Sequence, residues 1–141
     1  FVINMVGQSV TLHEQNLHDE DFAAQEMGVL PGISKVYSYV ATFFFENITA
    51  KEWWDAVGNY DPLPYWRKVN IPVLVLHGSE DHNVPSAESK ARFEALGKEN
   101  IRVIMYEGSG HGLEDPPGVG DRVIREEALS DMLDFITTSI K

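Results

Sequence analysis

Two polar residues that follow apolar runs of the sequence could do chemistry together. Asp81 comes after the run IPVLVLH, in HGSEDHNVP, and His111 comes after the run IRVIMYE, in EGSGHGLED. An Asp that accepts the Nδ1 proton of a His fixes the tautomer of the ring, and it stabilises the imidazolium that forms when the His takes a proton from a nucleophile. The pair therefore predicts an acid and a base that could activate a nucleophile.

The two apolar runs predict neighbouring strands that would bring this pair together. Residues 71–77 are apolar on both faces, as central parallel strands are, and residues 101–107 form the next strand. Between them Ser86 is predicted to cap a helix, which gives the strand, helix, strand order of a parallel sheet. Because neighbouring strands lie about 5 Å apart, we expect Asp81 and His111 in contact or one water apart at one edge of the sheet.

The first half of the chain predicts one strand followed by helices. Residues 1–6, FVINMV, indicate a buried strand, and Thr11 with Glu14 has the spacing of a capping box at the start of a surface helix over 12–27. Apolar residues of KVYSYVATFFFEN fall at helical spacing, although its aromatic and β-branched content leaves a strand as the alternative. Thr49 and Glu52 predict a second capping box.

Two further segments complete the prediction. The prolines of YDPLPYW indicate an irregular stretch. A last helix is predicted from 121 to 140 by a stripe of apolar residues, namely Ile124, Leu129, Leu133, Ile136 and Ile140. The expected fold class is α/β, a three-layer α/β/α arrangement in which a parallel sheet is the middle layer.

Composition limits the partners and the compartment. The chain has 141 residues, with 11 Lys and Arg against 22 Asp and Glu, and a net charge of −11. No basic cluster is present, so nucleic acid is not an expected partner. There is no Cys, which fits a reducing cytoplasm, and no apolar run is long enough to suggest a membrane span. The spacing of the five histidines predicts no metal site.

Residues 71–141 resemble the end of an α/β-hydrolase, particularly the branch of prolyl oligopeptidase-like peptidases and related bacterial esterases. The segment HGSEDHNVP matches the pattern HGxxDxxVP, and GSGHG matches the segment that carries the triad His. The resemblance implies a serine hydrolase acting on an ester or a peptide, with Asp81 as acid, His111 as base and no cofactor. It also implies that Asn83 occupies a position that touches substrate in some dipeptidyl-peptidase relatives.

The same resemblance gives the chain a single partial hydrolase domain over 1–141, in which residues 11–70 form a helical roof over the site. Trp53 and Trp54 of that roof are candidates for lining a substrate pocket, although aromatic residues in such a segment more often serve packing.

A nucleophile is the missing part of the pattern. The elbow motif GxSxG does not occur, and its nearest approach is VGQSVT, where Thr11 stands in the place of a small residue. Ser9 is thus the one candidate nucleophile of this chain, and it would need a further strand between residues 12 and 70. The favoured interpretation is that the nucleophile and the oxyanion-hole donors lie in an N-terminal half outside this chain, which alone would be inactive.

A rival from another class stays open. The chain could be a non-catalytic α/β module that keeps the hydrolase architecture and binds a partner or an apolar ligand. In either case residues 1–6 would form a bare strand edge without charge or Pro, so we expect a homo-oligomer, or pairing with the N-terminal half, through that edge.

Overall fold

The computed structural model describes residues 1–114 and 123–140. In these residues a parallel sheet of three strands is formed by β1 (Val2–Met5), β2 (Val73–Gly78) and β3 (Ile101–Tyr106), in the order β1-β2-β3. Val73 of β2 lies opposite both Val2 and Ile101. The three predicted strands are confirmed, and β2 is the central one.

The core lies on both faces of β2, whose six residues are all buried. Successive side chains of a strand point to opposite faces. Leu74 and Leu76 accordingly pack on one face with Ala128 of helix α6 (Glu126–Ser139), and Val73 and Val75 pack on the other with Phe93 of helix α5 (Ser86–Ala95). The sheet thus lies between two helical layers, as the α/β/α prediction requires.

Helical segments fill the chain between β1 and β2. They are α1 (Leu12–Glu26), α2 (Pro31–Phe44), a π-helical turn (Phe45–Thr49), α3 (Lys51–Val57) and α4 (Leu63–Trp66). The capping box of Thr11 and Glu14 is present at the start of α1. The helical interpretation of KVYSYVATFFFEN is also confirmed, since most of that segment lies in α2.

Three local predictions were wrong. The capping box of Thr49 and Glu52 does not form, because the π-helical turn continues α2 through Thr49 and Ala50 is the N-cap of α3. YDPLPYW contains α4, since prolines are tolerated in a first helical turn. Ser86 does not cap α5, because its hydroxyl donates to the carbonyl oxygen of Val84 at 3.2 Å.

The apolar stripe of the last helix points largely away from the sheet. Ala128 is buried, whereas Leu129 and Leu133 are exposed. The residues of α6 that pack on the core are Ala128, Met132 and Phe135. The helical period was therefore predicted, but not the direction of the stripe or the start of the helix, since Ile124 precedes α6 and forms a β-bridge with Glu114. Residues 121 and 122 of the predicted helix lie outside the described residues.

Within ranges 1–114 and 123–140, none of the helices has the length and apolar character needed to cross a membrane. The same ranges contain no group of three or more His, Asp or Glu placed to hold a metal ion.

Candidate active site

Asp81 and His111 are in direct contact beyond the carboxyl ends of β2 and β3. The Nδ1 atom of His111 lies 3.1 Å from Oδ1 and 3.0 Å from Oδ2 of Asp81. The side chain of Asp81 is completely buried, whereas that of His111 is 46% exposed. A shielded carboxylate thus holds one ring nitrogen, and Nε2 remains for other chemistry.

The loop after β2 fixes the orientation of the carboxylate. Oδ1 of Asp81 accepts hydrogen bonds from the backbone N–H groups of Asn83 at 2.9 Å and Val84 at 3.0 Å. Such local bonds from an Asp side chain to the following backbone are characteristic of tight turns. The turn therefore presents Asp81 to His111 in one defined orientation.

The loop that carries His111 packs directly on the exit of β2. A Cβ atom at Gly78 would lie 2.2 Å from the carbonyl oxygen of Ser109, so only glycine fits this close approach. The backbone N–H of Glu80 donates to the same oxygen at 2.9 Å, and that of Gly108 donates to Oγ of Ser79 at 2.9 Å. These bonds connect the two loops and set the spacing of Asp81 and His111.

Helix α1 crosses this site and adds residues that the sequence pattern did not single out. Nε2 of His18 lies 3.3 Å from the backbone oxygen of Asp81. The ring of Phe22 stacks on that of His82 at a centroid distance of 3.7 Å. No local signal in the sequence predicts the contact of His18, because it depends on how α1 folds over the sheet.

Asn83 contributes its backbone to the turn around Asp81. Its predicted contact with substrate is a matter for experiment.

Ser9 is buried against α5. Its hydroxyl donates to the backbone oxygen of Ser89 at 3.0 Å, and its N–H donates to Oγ of Ser89 at 3.3 Å. The residue has no exposed surface. Its proton is directed at the backbone of α5 rather than at an imidazole, so its placement argues against the nucleophile role predicted for it.

Trp53 and Trp54 line a cavity of about 220 Å³ between α1 and α3, which we call the roof cavity. Trp54 is 9% exposed and Trp53 is 53% exposed. The other wall is α1, including Gln15, Asn16 and Asp19. Both tryptophans are therefore placed where a small ligand could touch them.

Burial shifts two titrating groups near the site. It raises the pKa of Asp19 to about 6, and the negative charge of Asp81 acts in the same direction while His18 and His111 oppose it. Burial also lowers the pKa of His77 to about 4, against a smaller opposite effect of Asp81. Both shifts have the same cause, which is the cost of a charge that is poorly solvated.

The sequence model of the prolyl oligopeptidase family matches residues 33–141. The chain belongs to the prolyl oligopeptidase family. This confirms the resemblance inferred from HGSEDHNVP and GSGHG, and with it the α/β-hydrolase fold.

Two curated proteins illustrate the range of this similarity. The non-heme chloroperoxidase CPO-A1 of Kitasatospora aureofaciens is 35% identical over 82 residues, which are 58% of this chain and 28% of that protein. The acylamino-acid-releasing enzyme of Rattus norvegicus is 30% identical over 70 residues, which are 48% of this chain and 10% of that enzyme. No solved structure gives a significant match. The matched segments thus cover 28% of the length of the first relative and 10% of the length of the second.

Proposed function

We propose that this chain carries the acid and the base of a serine hydrolase that cleaves an ester or amide bond. The single observation that carries the proposal is the contact of Nδ1 of His111 with both oxygens of the buried Asp81. Membership of a family of hydrolases supports it.

His111 is the proton carrier in this proposal. As a serine oxygen attacks the carbonyl carbon of the substrate, its proton passes to Nε2 of His111, and the imidazolium later gives that proton to the leaving group. Asp81 stays ionised throughout, holds the Nδ1–H tautomer and stabilises the imidazolium. A water molecule then releases the acyl group by the same proton transfers.

The nucleophile and the oxyanion-hole donors come, in this proposal, from protein outside residues 1–141. The burial of Ser9 and the absence of GxSxG in the sequence support this assignment. The relatives are longer than this chain, which leaves room for the missing parts.

The test uses the coding sequence together with its upstream reading frame. Hydrolysis of p-nitrophenyl acetate and of a peptide p-nitroanilide is compared for the wild type, Asp81→Asn and His111→Ala. Both variants are expected to lose on the order of 10³–10⁴-fold in kcat. In the wild type, a fluorophosphonate probe is expected to label a serine upstream of Phe1.

His13→Ala is the matched control. His13 is also bound to a carboxylate, at 2.7 Å from Glu46, and its side chain is 45% exposed, close to the value for His111. It lies away from the catalytic pair and should keep full activity. Retained activity in His111→Ala, or an upstream frame without a nucleophile elbow, would contradict the proposal and favour the non-catalytic rival.

The chain alone provides a second test of the nucleophile. Residues 1–141 are expected to give no burst with p-nitrophenyl acetate and no covalent labelling by the fluorophosphonate probe. Stoichiometric labelling that Ser9→Ala abolishes would move the nucleophile to Ser9, and the proposal of an external nucleophile would then be wrong.

The rival function as an interaction module is favoured by one observation, the outward apolar face of α2. Val36, Tyr37, Val40 and Phe44 are all more than two-fifths exposed there. Exposed apolar patches of this kind mark interaction sites on soluble proteins.

A further inference from the structure

The roof cavity combines one carboxylate with three aromatic rings. Asp19 of α1 lies on one wall, and Phe45, Trp53 and Trp54 lie on the other. The rings of Phe45 and Trp54 are 6.0 Å apart at 77°, and those of Trp53 and Trp54 are 5.5 Å apart at 53°. Trp54 contacts both of the other rings, so the three side chains form one aromatic cluster.

One oxygen of the Asp19 carboxylate lacks a hydrogen-bond partner among the described residues. This atom, Oδ1, is shielded from water and has no hydrogen-bond donor in the part of the chain that the structure describes. The cost of this burial is the main reason for the raised pKa of the group. A cation in the cavity would offset that cost, since an opposite charge nearby favours the ionised form.

The surroundings of Asp19 favour a positive ligand. Helix α1 contains Glu14, Asp19, Glu20, Asp21 and Glu26 and neither Lys nor Arg. The charges of Asp81 and Glu20 raise the pKa of Asp19, whereas His18 and His111 act in the opposite direction. The excess of carboxylates on α1 attracts cations and repels anionic ligands.

The aromatic wall discriminates among cations. The faces of Trp and Phe rings attract alkylammonium groups, and burial of the alkyl parts against the rings adds apolar contact. A bare metal ion would gain little from this wall, because its preferred ligands are oxygen and nitrogen atoms.

The cavity is also linked to the catalytic pair. His18, which precedes Asp19 on α1, reaches the backbone oxygen of Asp81, and the charge of His111 acts on Asp19. A ligand in the roof cavity would thus lie on the same side of the molecule as the proton-transfer site.

We infer that the roof cavity binds an organic ammonium group of the substrate, with Asp19 as its counter-ion and Phe45, Trp53 and Trp54 as its aromatic wall. The role of the ligand as part of a substrate rests on the proposed function. The binding itself does not, because it needs no nucleophile.

The test titrates choline, and separately its uncharged analogue 3,3-dimethyl-1-butanol, into the chain at pH 7.5. Binding is followed by NMR at the indole N–H signals. Choline is expected to shift the signals of Trp53 and Trp54 and to leave that of Trp66, which packs on Phe93, unchanged. The uncharged analogue should bind at least about tenfold more weakly, because it lacks the charge that Asp19 recognises.

Substitutions then assign the charge to Asp19. Asp19→Asn should weaken choline binding by about tenfold or more, and Asp19→Glu should restore part of it. Glu20→Gln is the matched control, since it removes the same charge from the neighbouring position of α1, and it should change the affinity by less than about twofold. In the wild type, choline binding should weaken as the pH falls through about 6, where Asp19 takes up its proton.

Three results would overturn the inference. Equal binding of choline and its uncharged analogue would make the cavity a purely apolar pocket. Equal losses in Asp19→Asn and Glu20→Gln would assign the effect to the general charge of α1, and an absence of binding by a folded wild-type chain would remove the site. Because the readout is binding, it is independent of the hydrolysis experiment: choline binding without hydrolytic activity would contradict the proposed function alone.

Discussion

His77, near the end of β2, is a fully buried histidine that does not belong to the Asp81–His111 pair. Neither ring nitrogen has a hydrogen-bond partner in residues 1–114 and 123–140, and the ring of Phe93 is its aromatic neighbour, at 6.4 Å between centroids. Its environment tolerates the neutral ring and opposes the imidazolium, which is why its pKa falls to about 4. The side chain is suited to packing rather than to proton transfer.

This histidine predicts a loss of stability in mild acid. Its pKa is about 4 in the folded chain and 6.5 in the ordinary exposed state, so the unfolded chain binds the proton first as the pH falls. The free energy of unfolding should therefore decrease between pH 6.5 and 4, by a contribution on the order of 3 kcal/mol. His77→Met, which keeps an apolar side chain and cannot titrate, should flatten this part of the curve measured by urea unfolding.

Asp19 acts in the opposite direction over part of that range. Its folded pKa of about 6 is above the ordinary 3.8, so its protonation stabilises the folded chain as the pH falls from 6 towards 3.8. The comparison for His77→Met is therefore made in the Asp19→Asn background. An unchanged pH dependence there would show that His77 is not the group responsible.

At the scale of elements, an ion pair joins α1 to α5. Arg92 of α5 donates through Nη1 to Oε2 of Glu14 at 3.0 Å, and Nη2 of Arg92 bonds to Oε1 of Glu14. Glu14 also accepts from the backbone N–H and the hydroxyl of Thr11, at 2.8 and 2.9 Å. One carboxylate thus caps α1 and anchors it to α5.

Glu14 accordingly predicts a second, more acidic transition. The hydrogen bond from Arg92 is the main cause that lowers the pKa of Glu14 from 4.5 to about 2. The ionised Glu14 therefore adds to the free energy of unfolding above pH 4.5, and this stabilisation is lost as the pH falls towards 2. Glu14→Gln should lower the free energy of unfolding by about 1 kcal/mol at pH 7 and should reduce its fall below pH 4.5.

Glu88→Gln is the control for this ion pair. Glu88 bonds to the same Arg92 from an exposed position on α5, so its substitution should have a smaller effect. If the two substitutions changed the free energy of unfolding and its pH dependence equally, the role of Glu14 in capping α1 would contribute no stability beyond that of an ion pair with Arg92.

The strands and the contact of Asp81 with His111 were predictable because their signals are local. The apolar runs before Gly78 and Glu107 define β2 and β3, and parallel neighbours necessarily bring their carboxyl ends to one edge. His18 and Asp19 were not predictable in the same way, since their approach to the site depends on how α1 folds back over the sheet. The predicted cap at Thr49 was wrong because the chain continues from α2 through Thr49 as a π-helical turn, which no local signal in the sequence indicates.

An apolar stripe reveals the period of a helix but not the surface that it faces. In α2 the residues buried against the rest of the molecule are Ser34, Ser38 and Thr42, and Ser34 donates a hydrogen bond to Asp21 of α1. Small polar side chains allow α1 and α2 to approach closely, while the larger apolar residues remain outside. The sequence alone does not show which surface each face of the helix contacts, so it cannot predict which face is buried.

At the scale of the whole molecule, β1 is one of the two edge strands of the described sheet, and further pairing can occur on it. Val2 and Val6 donate their N–H groups to Pro72 and Leu76, so by alternation the backbone groups of Ile3 and Met5 point away from β2. Phe1, Val2 and Met5 are exposed, and the ring of Phe1 contacts that of Phe135 on α6 at 6.1 Å. The edge is thus bordered by an apolar surface.

This edge predicts self-association of the 141-residue chain. The net charge of −11 opposes the approach of two copies, but residues 1–6 contain no charged side chain, so β1 can pair with β1 of a second copy across a two-fold axis. Sedimentation at micromolar concentrations should show a dimer, with amide exchange at Ile3 and Met5 slowed on association. Met5→Lys, which places a charge on the edge, should give a monomer, whereas Val36→Lys on the exposed face of α2 should not. A monomeric wild type would contradict the pairing, and dissociation by Val36→Lys alone would assign the interface to α2.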